Sequence, residues 1–137
     1  MTYRILLVED NPADIALIRM ALEDVSLPVE FEECHDGEAA IAAVARLDAA
    51  PTNRHPQLIL LDLNLPRVHG SEVLKAVRAS AHLAATPVVV LSSSDRPADR
   101  TQCQLTGITA YLVKPRGVPE LMALAQRLAQ ILQGTSQ

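Results

Sequence analysis

Five polar residues stand where apolar runs of this chain end: Glu9, Asp10, Asp62, Ser92 and Lys114. A carboxylate delivered by a buried strand can act as a nucleophile if its neighbours activate it. Three carboxylates brought into one crevice cannot all stay ionised unaided, so either a pKa rises or a cation binds. Oxygen ligands without histidine or cysteine select a hard divalent ion such as Mg²⁺. A lysine and a hydroxyl on the opposite wall would meet the remaining oxygens of a phosphoryl group. The set suits phosphoryl transfer to Asp62, with Lys114 and Ser92 beside it and Glu9, Asp10 and Asp62 around the metal.

Each residue also has an ordinary explanation. Asp62 could close a strand-end turn with Asn64. Glu9 and Asp10 could be solvated acids before a helix N-terminus, where the dipole favours them. Ser92 could be a loop serine and Lys114 a surface lysine. The coincidence of all of them at strand ends favours the chemical reading, provided the strands bring those ends together.

The elements that must do so can be read from periodicity. Leu58 to Leu61 is a continuous apolar run too short for a helix, which fits a strand covered on both faces, and Pro66 ends any further pairing. Tyr3 to Val8 and Val88 to Leu91 have the same character, and Ile108 to Val113 makes a further strand. Val29 to Cys34 alternates apolar and acidic residues, the pattern of a strand with one exposed face at a sheet edge. Asn11 and Pro12 open a helix with Ile15, Ile18, Leu22 and Val25 on one stripe. Asp36 caps a second helix, with Ile41 and Val44 expected inward, and a third follows Gly70 around Val73, Leu74 and Val77.

After Ser92-Ser93-Ser94-Asp95, residues 96 to 106 form a helix with few large apolar residues, chiefly Leu105. Such a helix should be weakly anchored. The last helix, about Val118 to Leu132, carries Leu121, Leu124, Ala125, Leu128 and Leu132, with a short tail from Gly134. Five strands alternating with five helices imply a doubly wound parallel α/β sheet. In strand order 2-1-3-4-5, strands one and three meet at the switch point and crowd the three acids together.

Composition bounds the rest. The 137 residues suffice for one domain, 1–137, and leave no room for an output domain. Only Tyr3, Phe31 and Tyr111 are aromatic, so the core must be aliphatic. The net charge of −4, with no basic run, argues against nucleic-acid binding and attachment to anionic membranes. Cys34 and Cys103 have no CxxC partner and fit reduced thiols. The four histidines lack the spacing of a helical zinc pair. Without a membrane span or signal segment, a soluble cytoplasmic protein is expected.

Over essentially its whole length the chain resembles the receiver domain of two-component response regulators. The resemblance rests on Leu-Val-Glu-Asp-Asn-Pro at 7–12, Leu-Asp-Leu-Asn-Leu-Pro at 61–66, Gly70, Pro-Val-Val-Val-Leu-Ser at 87–92, Gly107 and Ala-Tyr-Leu-Val-Lys-Pro at 110–115. It implies a flavodoxin-like fold in which Asp62 accepts a phosphoryl group from a sensor histidine kinase. Asp10, Asp62 and the backbone carbonyl of Asn64 would ligate Mg²⁺ directly, with Glu9 acting through water. Ser92 would be the switch hydroxyl, Tyr111 the switch aromatic, and Lys114 the phosphoryl-binding lysine before a cis Pro115. Chemistry alone leaves Tyr111 equally well explained as an edge aromatic.

The Asn-Pro-Ala-Asp opening of the first helix, Leu-Asn-Leu-Pro after Asp62 and the enlarged Ala49–Pro56 loop resemble the single-domain regulators of bacterial phytochromes. The resemblance further implies homodimerisation and signalling through the fourth helix, fifth strand and fifth helix. One position departs from the family: Arg116 stands where an apolar residue is usual.

Two rival chemistries use similar parts. A Mg²⁺-dependent aspartate-nucleophile phosphatase would need a second aspartate two positions beyond Asp62, and that position is Asn64. A flavodoxin-like FMN carrier would need a hydroxyl-rich loop after the first strand, where Glu9 and Asp10 would repel the phosphate.

Overall fold

The computed structural model describes residues 2–93 and 96–135. Alternating hydrophobic runs and helical stripes produce β1 (Tyr3–Val8), α1 (Pro12–Asp24), β2 (Val29–Cys34), α2 (Gly37–Asp48), β3 (Leu58–Leu61), α3 (Gly70–Ala79), β4 (Val88–Ser92), α4 (Pro97–Thr106), β5 (Ala110–Val113) and α5 (Val118–Thr135). The strands pair in parallel in the order β2-β1-β3-β4-β5, as expected from the sequence. The enlarged loop before β3 contains a short 3-10 turn, Thr52–Arg54. Ser94 and Asp95, and the end of the expected tail at Ser136 and Gln137, lie outside the described residues.

Side chains on successive strand residues point to opposite faces, and this period divides the core in two. Leu6, Val8, Ile59, Leu61, Val88 and Val90 pack with α2 and α3. Ile5, Leu7, Leu58, Leu60, Val89 and Leu91 pack with Ile15, Ile18 and Leu22 of α1 and Leu124, Leu128 and Leu132 of α5. All of β3 and β4 is buried, which is why their sequences carry no polar alternation.

Caps form where the sequence places them. Asn11 accepts a hydrogen bond from Ala13 N at 2.9 Å, and Asp36 accepts one from Ala39 N at 2.7 Å. Arg78 ties α3 to its surroundings by donating to the carbonyls of Gly107, Ala84 and Thr86 at 2.8 to 2.9 Å.

Three packing expectations are corrected. Ile41 faces solvent, because α2 buries the stripe of Ala40, Ala43, Val44 and Leu47 instead. Leu105 is 84% exposed, and α4 is anchored by Cys103, its sole buried residue among those described. Leu121 and Val25 are half-buried at the rims of their stripes. Cys34 and Cys103 are free, and burial pushes the Cys34 thiol up to about 11, so it is an unreactive core residue at neutral pH.

Candidate phosphoryl-acceptor site

The sheet ladder continues one residue past three strands and places the site. Glu9 N donates to Cys34 O at 3.0 Å, Asp62 N to Val8 O at 3.0 Å, and Lys114 N to Ser92 O at 2.9 Å. Val8 pairs with Leu61, so Glu9 and Asp62 leave adjacent strands side by side. Alternation carries Glu9, Asp62 and Lys114 to the α1/α5 face, following Leu7, Leu60 and Leu112. Glu9 and Asp62 are buried, and Asp10 is exposed at the rim.

The loop that follows Asp62 is held from below by Gly70. A Cβ there would lie 2.4 Å from the Asp62 carbonyl oxygen and 2.7 Å from Leu63 Cα. Only a glycine lets the start of α3 approach the loop backbone this closely. Gly70 N donates to Leu63 O at 2.9 Å, and Asn64 N donates to Asp62 Oδ1 at 3.2 Å.

Lys114 is the basic wall. Its Nζ lies 2.8 Å from Asp14 Oδ2, 3.0 Å from Glu9 Oε2 and 3.3 Å from Asp62 Oδ2. Burial alone would lower its pKa, but hydrogen bonds to Asp14 and Glu9 and the charge of Asp62 outweigh burial and raise it. Lys114 is therefore a fixed ammonium at any physiological pH. Glu9 moves the other way from a usual carboxylate. Burial, reinforced by the charge of Asp62, lifts it from 4.5 to about 7 against the hydrogen bonds from Lys114 and Asn11 N. A buried carboxyl that resists ionisation next to two others marks a place where a cation would be welcome.

Carboxylate oxygens of Glu9, Asp10 and Asp62 all lie within 4.8 Å of one another. The group found among the described residues offers carboxylate oxygens only, so these residues fit a hard ion such as Mg²⁺. Around them is a cavity of about 410 Å³ lined by Glu9, Asp10, Asp14, Asp62, Lys114 and Arg116, among others. It is large enough for a phosphoryl group and open to solvent.

Ser92 and Tyr111 are separated from this acidic set by the pleat. Ser92 follows Val88 and Val90 to the α2/α3 face, whose cluster includes Tyr111. Asn64 Nδ2 donates to Ser92 Oγ at 3.5 Å. Burial raises the Tyr111 phenol, a hydrogen bond with Ser92 opposes the rise, and the Arg100 guanidinium lies 4.7 Å above the ring centroid. Tyr111 is only 6% exposed, so it points inward rather than standing at the sheet edge.

Two further differences from expectation concern the basic wall. No peptide bond among the described residues is cis, so Lys114–Pro115 is trans rather than cis. A trans X–Pro bond is favoured by about 0.5–1 kcal/mol, and Lys114 reaches all three carboxylates without the cis form. Asp14, the closest partner of Lys114, was not singled out from the sequence. Its signal is an acid in the first α1 turn, one residue before Ile15 of the buried stripe, which the helix opening alone also explains.

Comparison with known proteins agrees with this geometry. The family "Response regulator receiver domain" matches residues 5–126. "Response regulator Rcp1" of Synechocystis sp. (strain ATCC 27184 / PCC 6803 / Kazusa) is 36% identical over 122 residues, covering 89% of this chain and 83% of the relative. Its Mn²⁺-bound crystal structure superposes with a TM-score of 0.80 at 34% identity, covering 93% of this chain and 92% of that one. The phosphorylated cyanobacterial phytochrome response regulator RcpA gives a TM-score of 0.86 at 33% identity, with 100% and 98% covered. The bacteriophytochrome response regulator AtBRR gives 0.71 at 38% identity, with 97% and 94% covered. With that match across nearly the whole sheet, and with an acid notch at the strand ends, the chain belongs to the response regulator receiver domain family.

Proposed function

We propose that this receiver takes a phosphoryl group on Asp62 from the phosphohistidine of a sensor histidine kinase, with a kinase of the phytochrome type as its partner. The observation that carries the reading is the buried Asp62 carboxylate, 3.3 Å from a permanently charged Lys114 at the mouth of an open cavity. The kinship with phytochrome response regulators supports the choice of partner.

In the transfer, an Asp62 carboxylate oxygen attacks phosphorus as the P–N bond breaks. The leaving imidazole nitrogen keeps the electron pair, and Asp62 becomes an acyl phosphate. Glu9, Asp10 and Asp62, joined by the Asn64 carbonyl, are the residues that would hold Mg²⁺. Bound there, the ion would offset the negative charge of the phosphoryl oxygens. Lys114 gives its ammonium to a phosphoryl oxygen as Asp62 loses its own charge. Ser92 turns its hydroxyl to the new group, leaving Asn64 and Tyr111. Because Cys103 is the only residue that α4 buries among those described, and Arg100 of α4 stacks on Tyr111, loss of the Ser92–Tyr111 bond repacks α4 first. Output then runs through the surface of α4, β5 and α5, where Leu105 and Val113 are exposed, and includes homodimerisation.

The protein is thus a signalling phospho-acceptor rather than an enzyme with a separate substrate. The phosphatase alternative gains nothing, since Asn64 offers an amide to Ser92 where that mechanism needs an acid. The test is uptake of a phosphoryl group from acetyl phosphate in the presence of Mg²⁺, read by intact mass. Wild type gains one group and Asp62→Asn gains none. Equal uptake by the variant would remove Asp62 from the acceptor role.

A further inference from the structure

Arg116 lines the same cavity as the acceptor but has no role in the chemistry above. It is exposed, and it makes no hydrogen bond or ion pair with any described residue. Lys114, by contrast, is already shared among three carboxylates. The cavity presents four carboxyl groups, those of Glu9, Asp10, Asp14 and Asp62, against two cations, Lys114 and Arg116. An incoming phosphodonor is itself an anion, so the acids repel it on approach. Arg116 is the one uncommitted positive group described on the cavity wall, and it also borders the shallow groove of Leu17, Val118 and Leu121 beside the opening.

We propose that Arg116 is a phosphodonor-binding residue: its guanidinium meets the phosphoryl oxygens of the donor at the mouth and draws them in toward Asp62. This rests on the acceptor reading of Asp62. The group suits the task because a guanidinium presents a planar fork of donors matched to phosphoryl oxygens. Focused charge in a cleft also raises local anion concentration and association rate. The same charge must act on the neighbouring metal site with the opposite sign, since it repels a divalent cation while it attracts the donor. Removing Arg116 therefore slows phosphoryl uptake and tightens Mg²⁺ binding together, a pairing that simple loss of packing would not give.

Small donors test this without any kinase surface in play. With acetyl phosphate the P–O bond breaks and acetate leaves; with phosphoramidate the P–N bond breaks and ammonia leaves. At neutral pH the first is doubly anionic and the second singly anionic. Rates of Asp62 phosphorylation are measured at saturating Mg²⁺ for wild type, Arg116→Ala, Arg116→Glu and Arg116→Lys. Since the sequence has no tryptophan, Mg²⁺ affinity is followed by calorimetry.

At about 10 mM ionic strength Arg116→Ala should lose about tenfold in rate with acetyl phosphate and about threefold with phosphoramidate. Arg116→Glu should be slower still, and Arg116→Lys should stay within about twofold of wild type. Near 1 M salt the losses should shrink below about twofold. Mg²⁺ should bind Arg116→Ala about two- to fivefold more tightly. An Arg116→Ala rate equal to wild type at low salt overturns the proposal, as does a loss that persists at high salt or a weakened Mg²⁺ affinity. A wild type that takes nothing from either donor overturns the acceptor reading itself, whereas a normal wild type with an indifferent Arg116→Ala overturns only the role of Arg116.

Discussion

Glu9 should make the metal-free protein less stable as pH rises, and removing its charge should reverse this. Burial and the Asp62 charge raise its pKa from 4.5 unfolded to about 7 in the fold. The folded state therefore prefers the neutral carboxyl. Its stabilising contribution is complete below 4.5 and is lost progressively as pH rises through 7. The shift corresponds to about 3 kcal/mol above pH 7, and sharing of Lys114 with Asp14 and Asp62 reduces the realised part to about 2 kcal/mol.

Glu9→Gln keeps the acceptor for Asn11 N and abolishes the charge. In urea unfolding with chelator, the variant should gain about 2 kcal/mol over wild type at pH 8 and come within about 0.5 kcal/mol of it at pH 5. For a chain of this length that is a rise of about 6–10 °C in Tm at pH 8. Excess Mg²⁺ should return about 2–3 kcal/mol to wild type at pH 8, and clearly less to the variant. If Glu9→Gln were no more stable than wild type at pH 8 without metal, the account of a frustrated acidic notch would be wrong.

Two other substitutions probe the frame of the site. Gly70→Ala places a methyl 2.4 Å from the Asp62 carbonyl oxygen, where neither backbone can yield cheaply; it should cost about 1–3 kcal/mol, and a thermal melt unchanged from wild type would contradict the contact. Asp14→Asn removes the nearest partner of Lys114 and should speed phosphorylation by acetyl phosphate about two- to fivefold by freeing the ammonium. A slower Asp14→Asn would mean that Asp14 positions Lys114 for the reaction instead of holding it back.

How much of this could be read from the residues depends on what fixes each feature. Strand order and the convergence of Glu9, Asp10, Asp62 and Lys114 follow from strongly periodic local patterns and the handedness of crossovers. Choices among equivalent stripes do not. In α2, Ile41 is the most hydrophobic candidate, yet close approach to the sheet selects the small Ala40 and Ala43 and leaves Ile41 outside. In α4, Cys103 and Leu105 compete for one inward position, and the helix rotation that buries Cys103 exposes Leu105. Asp14 was overlooked for a different reason: an acid in a first helical turn is explained locally by the dipole, so nothing in the pattern announces a partner one hundred residues away.

The sheet pleat imposes a consequence for signalling that no single residue reveals. Alternation sends Glu9, Asp62 and Lys114 to the α1/α5 face, while Ser92 and Tyr111 belong with the cluster on the opposite face. On the proposed reading, chemistry and response would lie on different sides of one sheet and meet at the end of β4. Asn64, carried on the acceptor loop, reaches Ser92 at 3.5 Å, and Ser92 in turn bonds Tyr111 beneath α4. On that reading, a phosphoryl group on Asp62 would need to move no strand to be felt across the sheet; it would only have to compete with Asn64 and Tyr111 for one hydroxyl. Since Tyr111 is already buried, the step that would follow is a change of hydrogen-bond partner within the core, and α4, which buries only Cys103 among the described residues, would be the element least able to resist it.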